Sequence, residues 1–357
     1  MKVAYYGYDN VFKSLFPPVI KEAEGARGHE KGVWLPPQAR GVATEHKSEV
    51  LDCDIVLLGL SSFQTQEELT MMDTCRRVVI IADCPGSESR PKAQAWVREQ
   101  AAFPRRERKL KGLLLALESS RQRAIGFGYP EEDIHFVGVP PHWGISYQQM
   151  KDVDVGAARV ALPGGFLVFV PGGKNPLLTN TLLRHSIVAG REVIGEQFLL
   201  GFAPHPGEKP ENSGEAEIFA RAFAERTSML EGLRRADMTP FSNPERYAIA
   251  DLVITTGGPT ETIAAAYARN TNVVYYRDNA VRELLAESGV EGGNWFVPDY
   301  GGAHLAGPDD FLDVVRFAMS PDGKECLLRT QEKNFPLAET WDTAPAIVDL
   351  LEKVVRE

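Results

Sequence analysis

Short stretches rich in Val, Ile, Leu and Phe recur along this chain without alternating polar residues, and they constrain its fold more than any other feature. A strand with one face in water alternates apolar and polar residues, whereas a strand covered on both faces reads as a continuous apolar run. Such runs fall at 2–6, 32–35, 54–60, 78–83, 112–117 and 134–139, with amphipathic helical stretches at 12–24, 66–75 and 91–102 between them. That order predicts βαβ units and a parallel sheet. The segment "VPPHWGISYQQMKDVDV", 139–155, interrupts the pattern with two prolines, a glycine and polar residues, and reads as an interdomain connection. The pattern then restarts, with strands expected at 166–170, 198–203, 252–255, 272–276 and 295–297. The helices expected among them cover 176–189, 216–234, 260–268, 280–288 and 308–319. A last helix, 344–355, follows an irregular stretch, and its position at the chain end suggests a return to the first domain.

With 357 residues the chain exceeds the ~250–300 at which one hydrophobic core stops growing, so two cores are expected. The fold class is therefore α/β, two Rossmann-like domains whose parallel sheets face a cleft. The expected division is 1–141 for the first domain, 142–165 for a crossover linker, 166–325 for the second domain and 326–357 for a C-terminal extension.

A net charge of −10 argues against a nucleic-acid partner, because phosphate-backbone binding draws on an excess of Lys and Arg. The richest basic stretch, 98–111 with "FPRRERKLK" inside it, reads as a solvated loop, with peripheral contact to anionic lipid or an acidic acceptor as the alternative. Cys53, Cys75, Cys84 and Cys326 lack CxxC spacing, so neither a zinc site nor a disulfide framework is expected, and no metal or other cofactor is called for. The N-terminus enters an apolar run without a basic segment before it, and no apolar stretch reaches about 20 residues, so a cytoplasmic protein is expected.

Open parallel sheets take ligands beyond the carboxyl ends of their strands, which directs attention to the strand-to-helix loops. The most informative is "ADLVITTGGPTETIAAAYA": Thr256, Gly257, Gly258 and Pro259 follow the run 252–255, and a helix begins near Thr260 and Glu261. Paired glycines let backbone N–H groups approach a ligand closely, and a helix N-terminus favours an anion. A phosphate suits this turn, with Thr256 and Thr260 as hydroxyl donors and Glu261 as an acceptor for ribose hydroxyls. The plainer reading is a tight turn capped by Thr260. In "FLVFVPGGKNPLLTNTLL", Gly172, Gly173 and Lys174 again suit an anion, with Lys174 as a point charge. A third loop, "GFAPHPGEK", presents His205 just past a strand end. In the first domain Asp9 and Asp83 follow strands and are candidates for a general base, with helix capping as the structural alternative. GxGxxG after the first strand, GxxxxGK[ST], GxSxG and HExxH are all missing, which argues against a nicotinamide dehydrogenase, a P-loop ATPase, a nucleophile-elbow hydrolase and a zincin.

The stretch "SSRQRAIGFGYPEEDIHFVGVPP", 119–141, followed by "LVFVPGGKN", "HPGE" and "ADLVITTGGPTETIAAAYARNTNVVYY", resembles glycosyltransferases of the GT-B fold and the related non-hydrolysing UDP-N-acetylglucosamine 2-epimerases. The resemblance implies a nucleotide-sugar donor, a UDP-sugar ahead of others, bound by the second domain. By the same resemblance Thr256, Gly257 and Gly258 would hold donor phosphates and Glu261 the ribose. The first domain would recognise a small-molecule, glycan or lipid-linked acceptor, with Asp9, Asp83 or His142 taking its proton and no metal required. The loop Gly7–Tyr8–Asp9–Asn10–Val11 replaces the Gly-Thr-Arg-Pro-Glu type expected of an epimerase, which places transfer ahead of epimerisation. A non-catalytic nucleotide-sugar binder is the third expectation.

Overall fold

A computed structural model of the chain describes residues 1–7, 12–35, 45–60, 66–82, 91–115, 120–138, 152–173, 176–205, 216–255, 265, 268, 273–276, 302–334 and 343–357. The chain divides into two units, Met1–Ser146 with Ala338–Glu357, and Tyr147–Leu337. In the first unit the elements are β1 (Val3–Gly7), α1 (Phe12–Ile20), β2 (Val33–Trp34), α2 (Lys47–Leu51), β3 (Ile55–Leu60), α3 (Gln66–Thr74), β4 (Val78–Ala82), α4 (Pro91–Ala101), β5 (Leu110–Leu115), α5 (Arg121–Gly126) and β6 (Ile134–Phe136). Its sheet runs β2-β1-β3-β4-β5-β6, and every pair is parallel.

The continuous apolar runs have a simple physical origin. Successive side chains of a strand point to opposite faces. Ala4, Tyr6, Val56, Leu58, Val78 and Ile80 enter one core, while Val3, Tyr5, Ile55, Leu57, Val79 and Ile81 enter another on the opposite face. Each fully buried Val, Leu or Ile contributes roughly 1.5–3 kcal/mol relative to exposure, so both faces must be covered.

The second unit begins with α6 (Val155–Val160) and continues through β7 (Phe166–Pro171), α7 (Pro176–Ala189), β8 (Phe198–Ala203), α8 (Ala216–Leu230), β9 (Arg235–Ala236), α9 (Asn243–Ile249), β10 (Leu252–Thr255), β11 (Val273–Tyr276), β12 (His304–Ala306), α10 (Phe311–Met319) and α11 (Pro321–Asn334). Its sheet is also parallel, in the order β12-β11-β10-β7-β8-β9. The last helix, α12 (Thr343–Arg356), buries Ile347, Val348, Leu351 and Val354 in the same core as α1 of the first unit.

Several elements differ from the sequence pattern. The described part of the expected linker, 152–165, lies in the second unit. Asp154 caps α6 by accepting from Ala157 N, and Arg159 pairs with Asp251 at 2.7 Å. The same Asp251 oxygen accepts the Leu167 N–H, so α6 is fastened to the starts of β7 and β10. Helix α9 was not expected, although Ser242 and Glu245 form a capping box with a proline at the helix start. The irregular stretch before the last helix contains α11, whose start is held by Ser320 accepting from Gly323 N. Strand β12 was also not expected, and His304 ties it to α11 through the Gly323 carbonyl at 3.0 Å. The strand expected at 295–297 and the helix at 280–288 lie outside the described residues.

Cys53, Cys75 and Cys326 are free thiols, and burial pushes Cys75 up to about 12, which keeps it protonated and inert. Cys84 lies outside the described residues. Among the described residues no helix is long and apolar enough to cross a membrane.

Candidate functional site

Strand order marks a candidate position for a site in the second unit. From β7 the chain moves outward through β8 to β9, then returns to place β10 on the other side of β7 and continues to β11 and β12. The order therefore reverses between β7 and β10, which pair at Leu252–Val168 and Val253–Phe169. Helices leave the two flanking strands in opposite senses at such a point, and the carboxyl ends open a crevice for ligand. The two loops that leave β7 and β10 are the ones with Gly172–Gly173–Lys174 and Thr256–Gly257–Gly258. Thr255 ends β10 fully buried. Lys174, Thr256, Gly257, Gly258, Thr260 and Glu261 lie outside the described residues, as do Asp9, Asp83 and His142.

Gly172, Gly173 and His205 are described, and adjacent strand ends bring them together. The Gly172 N–H donates to the Ala203 carbonyl at 2.7 Å, joining the loop after β7 to the end of β8. A side chain at Gly172 would have its Cβ 3.1 Å from Ala203 O, Pro204 Cα and His205 N, tighter than an ordinary contact, so glycine suits the close approach of the two backbones. Gly173 donates its N–H to Thr179 Oγ1 at 3.1 Å, and the same hydroxyl donates to the Gly173 carbonyl at 3.3 Å. Both glycine amides thus have internal acceptors.

Beneath these loops lies a polar group that the sequence pattern did not single out. Thr179 and Asn180 on α7 and Arg226 on α8 are almost wholly buried. Arg226 Nε donates to Asn180 Oδ1 at 2.9 Å, and its guanidinium carbon lies 5.2 Å from the ring centres of both Phe202 and Phe223. Asn180 Nδ2 donates to the Ala222 carbonyl at 2.8 Å and to Glu225 at 3.2 Å, and Glu225 also pairs with Arg184. The available signal was a polar pair, Thr179–Asn180, beside the apolar Leu182 and Leu183; α8 carries two arginines, Arg221 and Arg226, and nothing local marks the second as the buried one.

A pocket of about 370 Å³ opens beside β8 and β9, lined by Leu200, Phe202, Leu230, Arg235, Ala236, Asp237 and Met238. It lies on the side of β8 away from the β7–β10 reversal, so it is not the crevice that strand order defines.

The first unit has a reversal of its own, between β1 and β3. Gly7 and Gly59 are register partners there. A Cβ at either would stand 2.3 Å from carbons of the Phe12 ring, which is fully buried and stacks on Phe16 at 5.2 Å. The basic stretch at 98–111 is largely consumed by internal pairing. Arg108 is buried against Glu132 at 2.5 Å and Asp133 at 3.1 Å, while Arg105 joins Asp133 at 3.2 Å and Glu357 at 2.8 Å. Burial pushes Asp133 up to about 6 against the pull of Arg108 and Arg105, and the hydrogen bond from Arg108 holds Glu132 low. Lys109 and Lys111 donate to the carbonyls of Asp73 and Arg105.

No family model matches the chain, and no curated protein matches its sequence. Solved structures do match over nearly its whole length. The UDP-N-acetylglucosamine 2-epimerase from Rickettsia bellii aligns at TM-score 0.57 and 12% identity, covering 100% of this chain and 97% of that one. Anabaena HepE in complex with UDP-glucose aligns at 0.55 and 14%, covering 100% of both. The wall teichoic acid polymerase TagF aligns at 0.53 and 11%, covering 99% of this chain and 88% of that one. The chain has the GT-B fold, two units each built on a parallel sheet.

Proposed function

We propose that the chain is a glycosyltransferase that takes its sugar from a nucleotide-sugar donor, with the donor bound by the second unit. The observation that best supports this reading is that the two glycine-rich loops leave the two strands flanking the β7–β10 reversal. A diphosphate there would meet Lys174 and the turn Thr256–Gly257–Gly258, with Glu261 accepting from ribose hydroxyls. UDP is the proposed nucleotide, since fold neighbours have been solved with UDP, UDP-glucose and UDP-N-acetylglucosamine. In the reaction the acceptor oxygen bonds to the anomeric carbon, the bond from that carbon to the diphosphate breaks, and UDP departs carrying the electron pair. The acceptor's proton passes to a base, for which Asp9, Asp83 and His142 are the candidates. The negative charge on the leaving diphosphate is met by Lys174 and backbone donors, without a metal.

Epimerisation is the second reading, favoured by the likeness to the Rickettsia bellii enzyme. A thermal-shift and calorimetric screen of UDP-, GDP-, dTDP-, ADP- and CMP-sugars tests donor binding. Free nucleoside diphosphate formed in the presence of an acceptor supports transfer, whereas a sugar inverted at C2 and still joined to its nucleotide supports epimerisation. Tight binding with no turnover of any kind points to a binding protein, and no binding at all overturns the proposal.

A further inference from the structure

The carboxyl ends of β7 and β8 are linked, through neighbouring residues, to the same buried cation. Arg226 reaches the loop after β7 through α7: its Nε donates to Asn180 at 2.9 Å, and the neighbouring Thr179 holds Gly173 by a hydroxyl that both accepts and donates. It reaches the loop after β8 through Phe202, whose ring it covers at 5.2 Å and which immediately precedes Ala203, the acceptor of the Gly172 N–H. Asn180 is itself held by the Ala222 carbonyl and Glu225, one turn and one residue before Arg226 on α8. A guanidinium this buried carries a large desolvation cost, and removing one partner of such a network leaves the other group uncompensated.

We propose that Arg226 and Asn180 form a positioning clamp that sets the spacing between the loops after β7 and β8, and through it the affinity for the diphosphate of the donor. Neither residue touches the ligand. The clamp acts through Thr179–Gly173 on one side and Phe202–Ala203 on the other, and it rests on the nucleotide-binding reading given above. Loosening it moves Gly173 and His205 relative to each other, so phosphate recognition suffers while recognition of the nucleoside does not.

Calorimetric titration of the full chain with UDP and with uridine tests this, using Arg226→Met, Arg226→Lys and Asn180→Ala. Stoichiometry reports the folded fraction and Kd the quality of the site, so a purely structural defect lowers the first and leaves the second. The expected result is a loss of about tenfold or more in UDP affinity for Arg226→Met and Asn180→Ala, with uridine affinity unchanged. Arg226→Lys, which keeps a cation over Phe202 and a donor for Asn180, should regain most of the loss. Wild-type UDP affinity in the folded Met variant overturns the clamp, and so does an equal loss for UDP and uridine. If Arg226→Met and Asn180→Ala do not fold, Thr179→Val decides, since it removes the hydroxyl that holds Gly173 but keeps the shape; an unchanged ratio of UDP to uridine affinity then overturns the clamp. A wild-type chain that binds no UDP brings down the nucleotide reading itself and the clamp with it.

Discussion

The two sheets reverse their strand order at comparable places and treat the carboxyl edge there in opposite ways. In the first unit Gly7 and Gly59 lie side by side and the ring of Phe12 is seated on both. In the second, Gly172 lies against the backbone of the neighbouring strand end, and Gly173 is fastened to a threonine hydroxyl. Glycine serves two different purposes here. In one unit it makes room for an aromatic ring that seals a face of the sheet, and in the other it lets two strand ends come close enough to hydrogen-bond. A glycine past a strand end is therefore not by itself a sign of ligand approach, and the atoms nearest to it distinguish the cases.

The sharpest way to break this comparison is to remove the ring. Phe12→Ala should destabilise the chain by about 3–5 kcal/mol, the usual cost of emptying a fully buried phenylalanine site, measured by denaturant unfolding. Gly59→Ala alone should cost about 1–3 kcal/mol because its methyl overlaps the ring. The double variant should be less destabilised than the sum, since the methyl then enters space the ring has left. Strict additivity would mean that Gly59 is needed for something other than Phe12.

A second contrast lies at the opposite ends of the strands. Asp133 directly precedes β6 and is buried with Arg108 and Arg105, whereas Asp251 directly precedes β10 and is half-buried with Arg159. Burial raises the Asp133 carboxyl from 3.8 to about 6. A carboxyl raised in the folded state binds its proton more tightly there than in the unfolded chain. Its contribution is thus unfavourable above pH 6 and is relieved as pH falls from about 6 towards 4. Over that window wild type should gain up to about 3 kcal/mol relative to Asp133→Asn. A flat difference between the two unfolding free energies across that range would show that the arginines, not burial, govern this group.

At the second reversal the expected effect is on binding. Glu261→Ala should weaken donor binding by ~1.5–3 kcal/mol through lost charge-assisted hydrogen bonds, with the unfolding midpoint nearly unchanged. Calorimetry with UDP measures it, and an unaltered Kd removes Glu261 from the site.

What could be read from sequence and what could not divide along physical lines. Strands β8 and β10 fall on the residues that the apolar runs marked, because a strand buried on both faces writes its whole length into composition. Strand β9 has only two residues, and α11 is largely polar, so neither offers a periodic signal despite the Ser320–Pro321 start of α11. The glycines of the site were visible as residues, but their partners were not. Ala203 is about thirty residues from Gly172, and Arg226 is 46 residues from Asn180, so both contacts depend on β7 pairing with β8 and α7 packing against α8. The reversal that marks the candidate site follows from strand order, which no local pattern encodes.

The smallest expected effects separate the two glycines after β7. At Gly172 a methyl would stand 3.1 Å from three backbone atoms that cannot swing aside, so Gly172→Ala should cost about 1–3 kcal/mol and loosen the join between β7 and β8. At Gly173 the nearest described atom to an added Cβ is Thr179 Oγ1 at 3.9 Å, an ordinary contact, and the backbone is not in the left-handed region. Gly173→Ala should therefore change stability by less than about 0.5 kcal/mol. Measured together by urea unfolding, the pair tests whether these glycines are there for the protein's own packing. If Gly173→Ala proves silent in stability yet weakens UDP binding, a ligand closely approaches that Cα; if Gly172→Ala is the silent one, the close approach of the two strand ends is not what holds the loop.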